Sequence, residues 1–235
     1  MASTDTPTAV DDAPSLSTRR LAGLVDRVAR SRPADDDSDR IDVFAPATEE
    51  QIGGVPACDA DDVAAAVERA RDAQAEWAET PAEERARVVD RFGDLVADRR
   101  GELLDLLQLE TGKSRRTAVE ELFDVPTGCS YVASEAPDVL AEERRRGVAP
   151  GISTATVTRE PTGVVGVISP WNYPLTLSMA DAIPALAAGN AVVLKPDEKT
   201  PYGALLLDEL LEVAGLPDGL FQVVTGEGPT VGPPL

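Results

Sequence analysis

The sequence predicts an α/β protein with a doubly wound parallel sheet, which is incomplete and preceded by a helical segment. Apolar runs at 163–168, 191–194 and 221–224 have the length of buried strands. Segments at 175–187 and 202–213 have helical spacing and separate these runs, so the order is βαβαβ. Right-handed crossovers make such strands parallel, and their carboxyl ends then meet at the edge where open α/β sheets bind ligands.

The first forty residues are expected to form a flexible acidic tail with one short amphipathic helix. Residues 1–17 are rich in Ser, Thr, Pro and acidic residues, a composition that favours disorder. A charged stretch over 32–39 resembles a linker, so we place the start of the folded domain, 41–235, at its end. The helix in the tail is expected from apolar residues that share one face, namely Leu21, Leu24, Val25 and Val28.

A hairpin or two short edge strands, and then a first long helix, are expected at the start of the folded domain. Residues 41–56 contain two strand-like runs around a turn. Asp59 is suited to capping the helix that follows. The apolar stripe of this helix alternates between four- and three-residue spacing, at Val63, Val67, Ala70 and Trp77.

Three more helices are expected before residue 150. Thr80-Pro81-Ala82-Glu83 matches a capping box with proline at the first helical position, and it predicts the start of the second helix. Gly101 interrupts the pattern, and the third helix is expected over 103–111. The fourth begins at Ser114 and runs towards Val132.

The pattern changes after residue 150. Residues 152–159 alternate like a half-exposed strand. Gly189 and Gly215 lie where the helices of the sheet region should end. Another helix should start close to residue 235, and a sheet of three parallel strands with an unfinished crossover predicts an incomplete domain.

The charge balance is strongly acidic, with 42 Asp and Glu against 22 Lys and Arg and a net charge of −20. Such a surface disfavours nucleic acid and anionic membranes, which need a basic footprint. It fits a protein kept soluble in a salt-rich cytoplasm, although a merely acidic mesophilic protein is an alternative. The amino terminus lacks a signal-peptide pattern, and the longest apolar stretch, 182–194, is too short to span a bilayer. We therefore expect a cytoplasmic protein.

The residue inventory excludes several kinds of chemistry. The chain has no histidine, so Ser-His-Asp and Cys-His mechanisms are excluded within it, and no metal site is expected. Cys58 and Cys129 lie far apart and form no disulfide or zinc pattern. Cys129 lies in an apolar helical setting and is expected to be a packing thiol, the alternative being a nucleophile.

Two glycine-containing segments imitate phosphate-binding loops. Thr111-Gly112-Lys113-Ser114 resembles the end of a P-loop, but it follows a leucine-rich helix and lacks the earlier glycine. Residues 226–232 resemble GxGxxG and do follow a strand, but the third glycine is one position late. Neither segment identifies a nucleotide site by itself.

The segment from Pro170 to Pro174 is the most specific motif in the chain. It directly follows the first predicted strand of the sheet, and its prolines restrict the backbone on both sides of Asn172. An amide held at a strand end in this way is suited to donating a hydrogen bond at a fixed point. The alternative is a buried Asn that satisfies its own turn.

Lys195 and Glu198 follow the second predicted strand of the sheet and carry opposite charges. They could be a surface ion pair contributing well under about 1 kcal/mol. Alternatively, they could bind the hydroxyls of an adenosine ribose. A carboxylate accepts from both hydroxyls and repels a 2′-phosphate, so Glu198 favours NAD over NADP. The adjacent Lys199 could move towards a phosphate, which leaves NADP open.

Together these motifs resemble the aldehyde dehydrogenase superfamily over about residues 41–235. Residues 172–177 with 181–186 resemble the succinate-semialdehyde dehydrogenases in particular. The resemblance implies a Rossmann-like cofactor-binding domain that uses NAD or NADP. The motifs that carry it occur in the family's order, at 46–48, 110–113, 171–175, 189–196, 215–217 and 224–226.

The resemblance also implies a reaction, the oxidation of an aldehyde to a carboxylic acid. In that reaction a cysteine thiolate attacks the carbonyl, Asn172 and a backbone N–H hold the oxyanion, and a glutamate activates water. Lys195 and Glu198 would hold the ribose. Besides Asn172, Lys195 and Glu198, the resemblance implies further cofactor-binding positions. They are Ile168, Ser169, Pro170, Trp171, Pro196, Asp197, Gly226, Gly228 and Pro229. The strand over 152–159 resembles the family's oligomerisation arm, which implies a homo-oligomer.

The chain departs from the family's pattern in its extent. It reaches about half the family's length, before the glycine-rich loop, the general-base glutamate and the nucleophilic cysteine of the catalytic domain. Neither Cys58 nor Cys129 matches the nucleophile. We therefore expect a truncated or split product, or part of a longer sequence, that is inactive by itself. The alternative is a non-catalytic nucleotide-binding or subunit-interaction module.

Overall fold

The computed structural model describes residues 16–28, 39–149 and 152–235. The expected tail up to residue 15 and most of the charged linker lie outside the described residues. The helices are α1 (Thr18–Val25), α2 (Ala60–Glu79), α3 (Ala82–Asp98), α4 (Arg100–Thr111), α5 (Arg115–Leu140), α6 (Pro174–Ala187), α7 (Pro201–Val213) and α8 (Gly228–Val231). The strands are β1 (Arg40–Ala45), β2 (Glu50–Pro56), β3 (Glu143–Arg146), β4 (Thr154–Val157), β5 (Val164–Ile168), β6 (Ala191–Lys195) and β7 (Phe221–Val223).

The predicted βαβαβ unit is confirmed. Strands β5, β6 and β7 form a parallel sheet in that order, with the completely buried β6 at its centre. The register pairs Ile168 with Lys195, so the ends of two strands lie side by side. Gly189 and Gly215 follow α6 and α7 with φ of 91° and 94°, the left-handed conformation that a glycine after a helix adopts without strain.

A helical layer covers this unit. The right-handed crossovers place α6 and α7 on one face of the sheet, and helices α3, α4 and α5 pack against them. Helix α2 contacts all three strands. Its Trp77 indole donates to the carbonyl of Leu186, at the end of α6, at 2.9 Å. None of the described helices combines the length and apolar character needed to cross a bilayer.

Helix α1 forms where the sequence predicts it and packs on the folded body. Leu21 and Leu24 are buried, as the shared face requires, whereas Val25 is only partly buried. Val28 lies beyond the end of α1 and is buried where it forms a parallel β-bridge with Val223. The helix contacts α7 and β2. Ion pairs add to this contact, because Arg20 reaches Glu209 at 2.7 Å and Arg27 reaches Asp208 at 2.7 Å.

Helices α2 and α3 both start where the sequence predicts, but only α2 has the expected side-chain cap. Asp59 caps α2 in a capping box with Asp62. The capping box predicted at Thr80 is wrong, because α3 begins at Ala82 with Pro81 at its N-cap and no side-chain cap. The Thr80 hydroxyl instead donates to the carbonyl of Glu76 in the last turn of α2, at 3.4 Å.

The later helices differ from the prediction in their limits. Gly101 lies inside α4, and the break falls at Arg99, the cap shared by α3 and α4. Helix α5 starts after Ser114, as predicted, but continues to Leu140 through Pro126 and Pro137.

Two antiparallel hairpins complete the structure. The β1–β2 hairpin is confirmed, with an irregularity between Val43 and Phe44. The strand expected over 152–159 is shorter, and β4 pairs with β3, which was not predicted. Strand β3 consists of one glutamate and three arginines, so it has no apolar alternation from which a strand could be read.

Candidate functional site at the carboxyl edge of the sheet

A cavity of about 400 Å³ lies at the carboxyl edge of the parallel sheet. The ends of strands β5 and β6 form one wall. They are held side by side there, because the backbone N–H of Ser169 donates to the carbonyl of Lys195 at 3.0 Å. The start of α8 lies in another wall. The lining residues are Ile168, Ser169, Pro170, Lys195, Asp197, Glu198, Gly228, Pro229 and Gly232.

The structure brings most of the predicted cofactor positions together in this cavity. Gly232, which the motifs did not predict as a cofactor position, also lines the cavity, and it is the late third glycine of the GxGxxG-like segment. That segment therefore does line a cavity, through the short helix α8.

Four predicted positions do not line the cavity. Gly226 and Pro196 are buried behind it. A Cβ at Gly226 would lie 2.6 Å from Val231 Cγ1, so a glycine is needed there for α8 to pack closely. Trp171 and Asn172 lie on the exposed turn beside the cavity.

Lys195 and Glu198 form an ion pair at the rim of the cavity. Lys195 is only 3% exposed, so the simple surface ion pair is not what the structure shows. Its Nζ donates to the carbonyl of Pro196 at 3.0 Å and lies 3.6 Å from Glu198 Oε2. The Glu198 side chain is 37% exposed. An ammonium and an accessible carboxylate therefore face the same space.

Lys199 turns away from this pair. Its Nζ lies 6.0 Å from the centroid of the Trp171 ring, a distance at which the ammonium is attracted to the ring face. Its backbone N–H donates to Asp197 Oδ1 at 3.0 Å. Lys199 therefore lies beside Trp171, outside the cavity that Lys195 and Glu198 line.

A second cavity, of about 410 Å³, lies beside Trp171 and Lys199. Glu110 and Thr200, both buried, line it, and Phe44 and Pro46 add apolar surface. Burial raises the pKa of Glu110 to about 8, although two backbone N–H groups at the start of α7 oppose this by donating to its carboxylate.

Asn172 lies on the turn between β5 and α6. Its side chain is exposed and makes no hydrogen bond with any residue in the described parts of the chain. The amide is therefore not engaged by its own turn, and both of its N–H donors are accessible to a ligand.

Buried side chains hold this turn at both ends. On the β5 side, the Ser178 hydroxyl of α6 donates to Ser169 Oγ at 2.8 Å. On the α6 side, Glu121 Oε1 accepts from the backbone N–H of Leu175 at 2.8 Å. Glu121 was not predicted to have this role, because it lies on α5 and no local sequence pattern links it to the turn.

Neither cysteine is placed to act as a nucleophile. Cys58 and Cys129 are both buried. Burial raises the pKa of Cys129 to about 12, with a further contribution from the charge of Asp90. Cys129 lies within the buried apolar core, as expected of a packing thiol. Among the described residues, no group of three or more potential metal ligands comes together.

Residues 33–235 match the model of the aldehyde dehydrogenase family. The chain belongs to this family. It is 49% identical over 215 residues to a protein of Mycolicibacterium smegmatis that is named, provisionally, as a succinate-semialdehyde dehydrogenase (NADP+). That match covers 91% of this chain and 40% of the relative.

Solved structures of aldehyde dehydrogenases share the fold. The enzyme of Brucella melitensis biovar abortus 2308 has a TM-score of 0.84 at 30% identity, with 90% of this chain and 44% of that chain covered. An NAD+ complex of the Bacillus cereus enzyme has a TM-score of 0.78 at 33% identity, with 83% and 40% covered. The family and the α/β fold expected from the motifs are thus confirmed. The chain spans about 40% of the length of the curated relatives it matches.

Proposed function

We propose that the protein containing this chain is an NAD(P)-dependent aldehyde dehydrogenase, with succinate semialdehyde as its substrate. The observation that carries the proposal is the exposed Asn172 amide next to a cavity lined by Lys195 and Glu198. The name of the M. smegmatis relative supports the choice of aldehyde.

The residues of the cavity fit the adenosine half of a dinucleotide. Lys195 would donate to a ribose hydroxyl, and the accessible carboxylate of Glu198 would accept from the diol. Ile168, which is 61% exposed, and Pro229 would give the adenine apolar surface. The bound dinucleotide supplies the hydride acceptor, while this chain binds and orients it.

Two features support a preference for NAD. The Glu198 carboxylate would repel a 2′-phosphate, and the Lys199 ammonium, which could otherwise attract one, is directed towards the Trp171 ring. The NADP+ in the name of the M. smegmatis relative points the other way. We base the proposed preference for NAD on Glu198 and Lys199 of this chain and not on the name of the relative.

Asn172 would donate from its amide to the oxyanion formed when a thiolate attacks the aldehyde. Removing one donor of this kind costs about 3–4 kcal/mol of barrier. Because Cys58 and Cys129 are buried, we propose that neither is the attacking thiolate. Residues 1–235 alone would then not oxidise the aldehyde. The burial of both cysteines also favours a second candidate function for this chain, a non-catalytic nucleotide-binding or subunit-interaction module.

The β3–β4 hairpin would serve as an oligomerisation arm. All four β4 residues are exposed, including Val157. Ile152, just before β4, is exposed as well. An apolar edge of this kind is suited to pairing with another copy of the chain.

The test compares the complete enzyme with its Asn172→Ala variant, with succinate semialdehyde as substrate. The proposal predicts aldehyde-dependent NAD(P)H formation, and it predicts that kcat falls about 100- to 1000-fold in the variant while the KM for the dinucleotide changes little. An enzyme that forms no NAD(P)H from any aldehyde, or a variant with unchanged kcat, would contradict it.

A further inference from the structure

Helix α6 begins immediately after the turn that carries Asn172, but it has no cap of its own. Its N-cap residue, Tyr173, makes no side-chain cap hydrogen bond. The free N–H groups of a first helical turn need an acceptor when they are buried. The acceptor for Leu175 comes from another helix, because Glu121 of α5 supplies its carboxylate.

Glu121 is completely buried and is held on both oxygens. Oε1 accepts from the N–H of Leu175 at 2.8 Å, and Oε2 pairs with the ammonium of Lys113. Its backbone carbonyl also accepts from the Thr176 hydroxyl at 3.1 Å. A buried carboxylate without a counter-ion is strongly unfavourable, so Lys113 and Glu121 must be placed together.

Lys113 also reaches the turn directly. Its Nζ lies 4.1 Å from the centroid of the Tyr173 ring, within the range of a cation–π contact. Tyr173 is the residue next to Asn172 in the chain. One ion pair therefore contacts the turn at two points on the carboxyl side of Asn172, the ring of Tyr173 and the amide of Leu175.

We propose that Lys113 and Glu121 are positioning residues for Asn172. Their ion pair fixes the start of α6 and the Tyr173 ring, and so holds the Asn172 amide where the oxyanion forms. This inference rests on the proposed function. A misplacement of about 1 Å in such a donor can lower a rate by up to about 100-fold, so a pair that never touches the substrate can still control kcat.

A double-mutant cycle in the complete enzyme tests the pair. Lys113→Met/Glu121→Gln removes both charges and retains an acceptor for Leu175, which avoids an unpaired buried charge; Lys113→Arg is a milder second variant. We expect the paired change to lower kcat about tenfold or more with Asn172 present, and less than about twofold in an Asn172→Ala background. The KM for NAD should stay within about twofold in both backgrounds.

The Arg27–Asp208 ion pair provides a matched control, with side chains 15% and 7% exposed against 15% and 0% for Lys113 and Glu121. Changing Arg27→Met/Asp208→Asn should lower the melting temperature without changing kcat. Equal losses of kcat in both backgrounds, or no loss for either Lys113 variant, would overturn the positioning role while the wild-type enzyme remained active. A wild-type enzyme without aldehyde-dependent NAD(P)H formation would instead overturn the proposed function.

Discussion

The Glu198 carboxylate lies 3.6 Å from the buried Lys195 ammonium, at the rim of the cavity that we propose binds an adenosine ribose. A carboxylate at that point favours a free 2′-hydroxyl and opposes a 2′-phosphate. The sequence identified both residues, because each follows a recognisable strand. It did not show that the Lys199 ammonium lies over the Trp171 ring and outside the proposed ribose site, because the direction of a flexible side chain depends on tertiary contacts.

Glu198→Ser should relax the discrimination against NADP. Removing the negative charge should raise kcat/KM for NADP relative to NAD by about tenfold, or about 1.4 kcal/mol. Steady-state kinetics of the complete enzyme with both dinucleotides measure this ratio. Glu227→Ser, a change of the same charge at an exposed neighbouring position outside the cavity lining, is the control. An unchanged ratio in Glu198→Ser would remove its role at the ribose.

Glu110 should make stability depend on pH. Burial raises its folded pKa to about 8 from an ordinary value of 4.5, so between these values the folded state binds more protons than the unfolded state. Its contribution to stability is therefore full below about pH 4.5 and is lost as the pH rises towards about 8. The Glu110→Gln variant should lack this loss.

Urea unfolding at several pH values measures the difference between wild type and Glu110→Gln. Glu209 provides a control of opposite sign, because its hydrogen bond with Arg20 lowers its pKa. The contribution of Glu209 is present above its unfolded pKa and is lost as the pH falls. A wild-type minus Glu110→Gln difference that does not vary with pH would show that folding does not raise the pKa of Glu110.

At the scale of elements, carboxylates from the helical layer cap the helices of the sheet unit. Helices α6 and α7 make no side-chain caps of their own. Glu121 accepts from the first turn of α6, and Glu110 accepts from Tyr202 and Gly203 in the first turn of α7. Helices α4 and α5 thus fix the two turns that border the candidate site.

Helix α1 should contribute measurably to stability. Leu24 is buried against the body of the protein, so Leu24→Ala should lower the free energy of unfolding by about 2–4 kcal/mol. Val25→Ala, at a partly buried position on the same helix, should cost less. Urea denaturation compares them, and equal, small losses would mean that α1 does not stay docked in solution.

For the whole molecule, the sequence predicts the strands of the parallel sheet better than the long-range contacts that hold the surrounding elements in place. Strands β5, β6 and β7 are apolar runs bounded by glycine and proline, so their limits were close to those observed. Strand β3 was missed because its arginines form a strand only through pairing with β4. Glu110 and Glu121 were missed as support because their partners lie far along the chain, where no local pattern connects them.

The isolated chain should bind but not react. The cavity and its ion pair lie within residues 1–235, whereas both cysteines are buried. Purified 1–235 should therefore quench or shift NADH fluorescence and form no NADH from succinate semialdehyde. Steady turnover by this chain would show that one of the two buried thiols, or another group within it, acts as the nucleophile.

The most direct measurement is a crystal structure of the protein in complex with NAD. We expect the hydroxyls of the adenosine ribose to contact Lys195 and Glu198 and the nicotinamide ring to face the side-chain amide of Asn172. A dinucleotide bound elsewhere, or an Asn172 side chain turned away from the nicotinamide into the protein, would contradict this account.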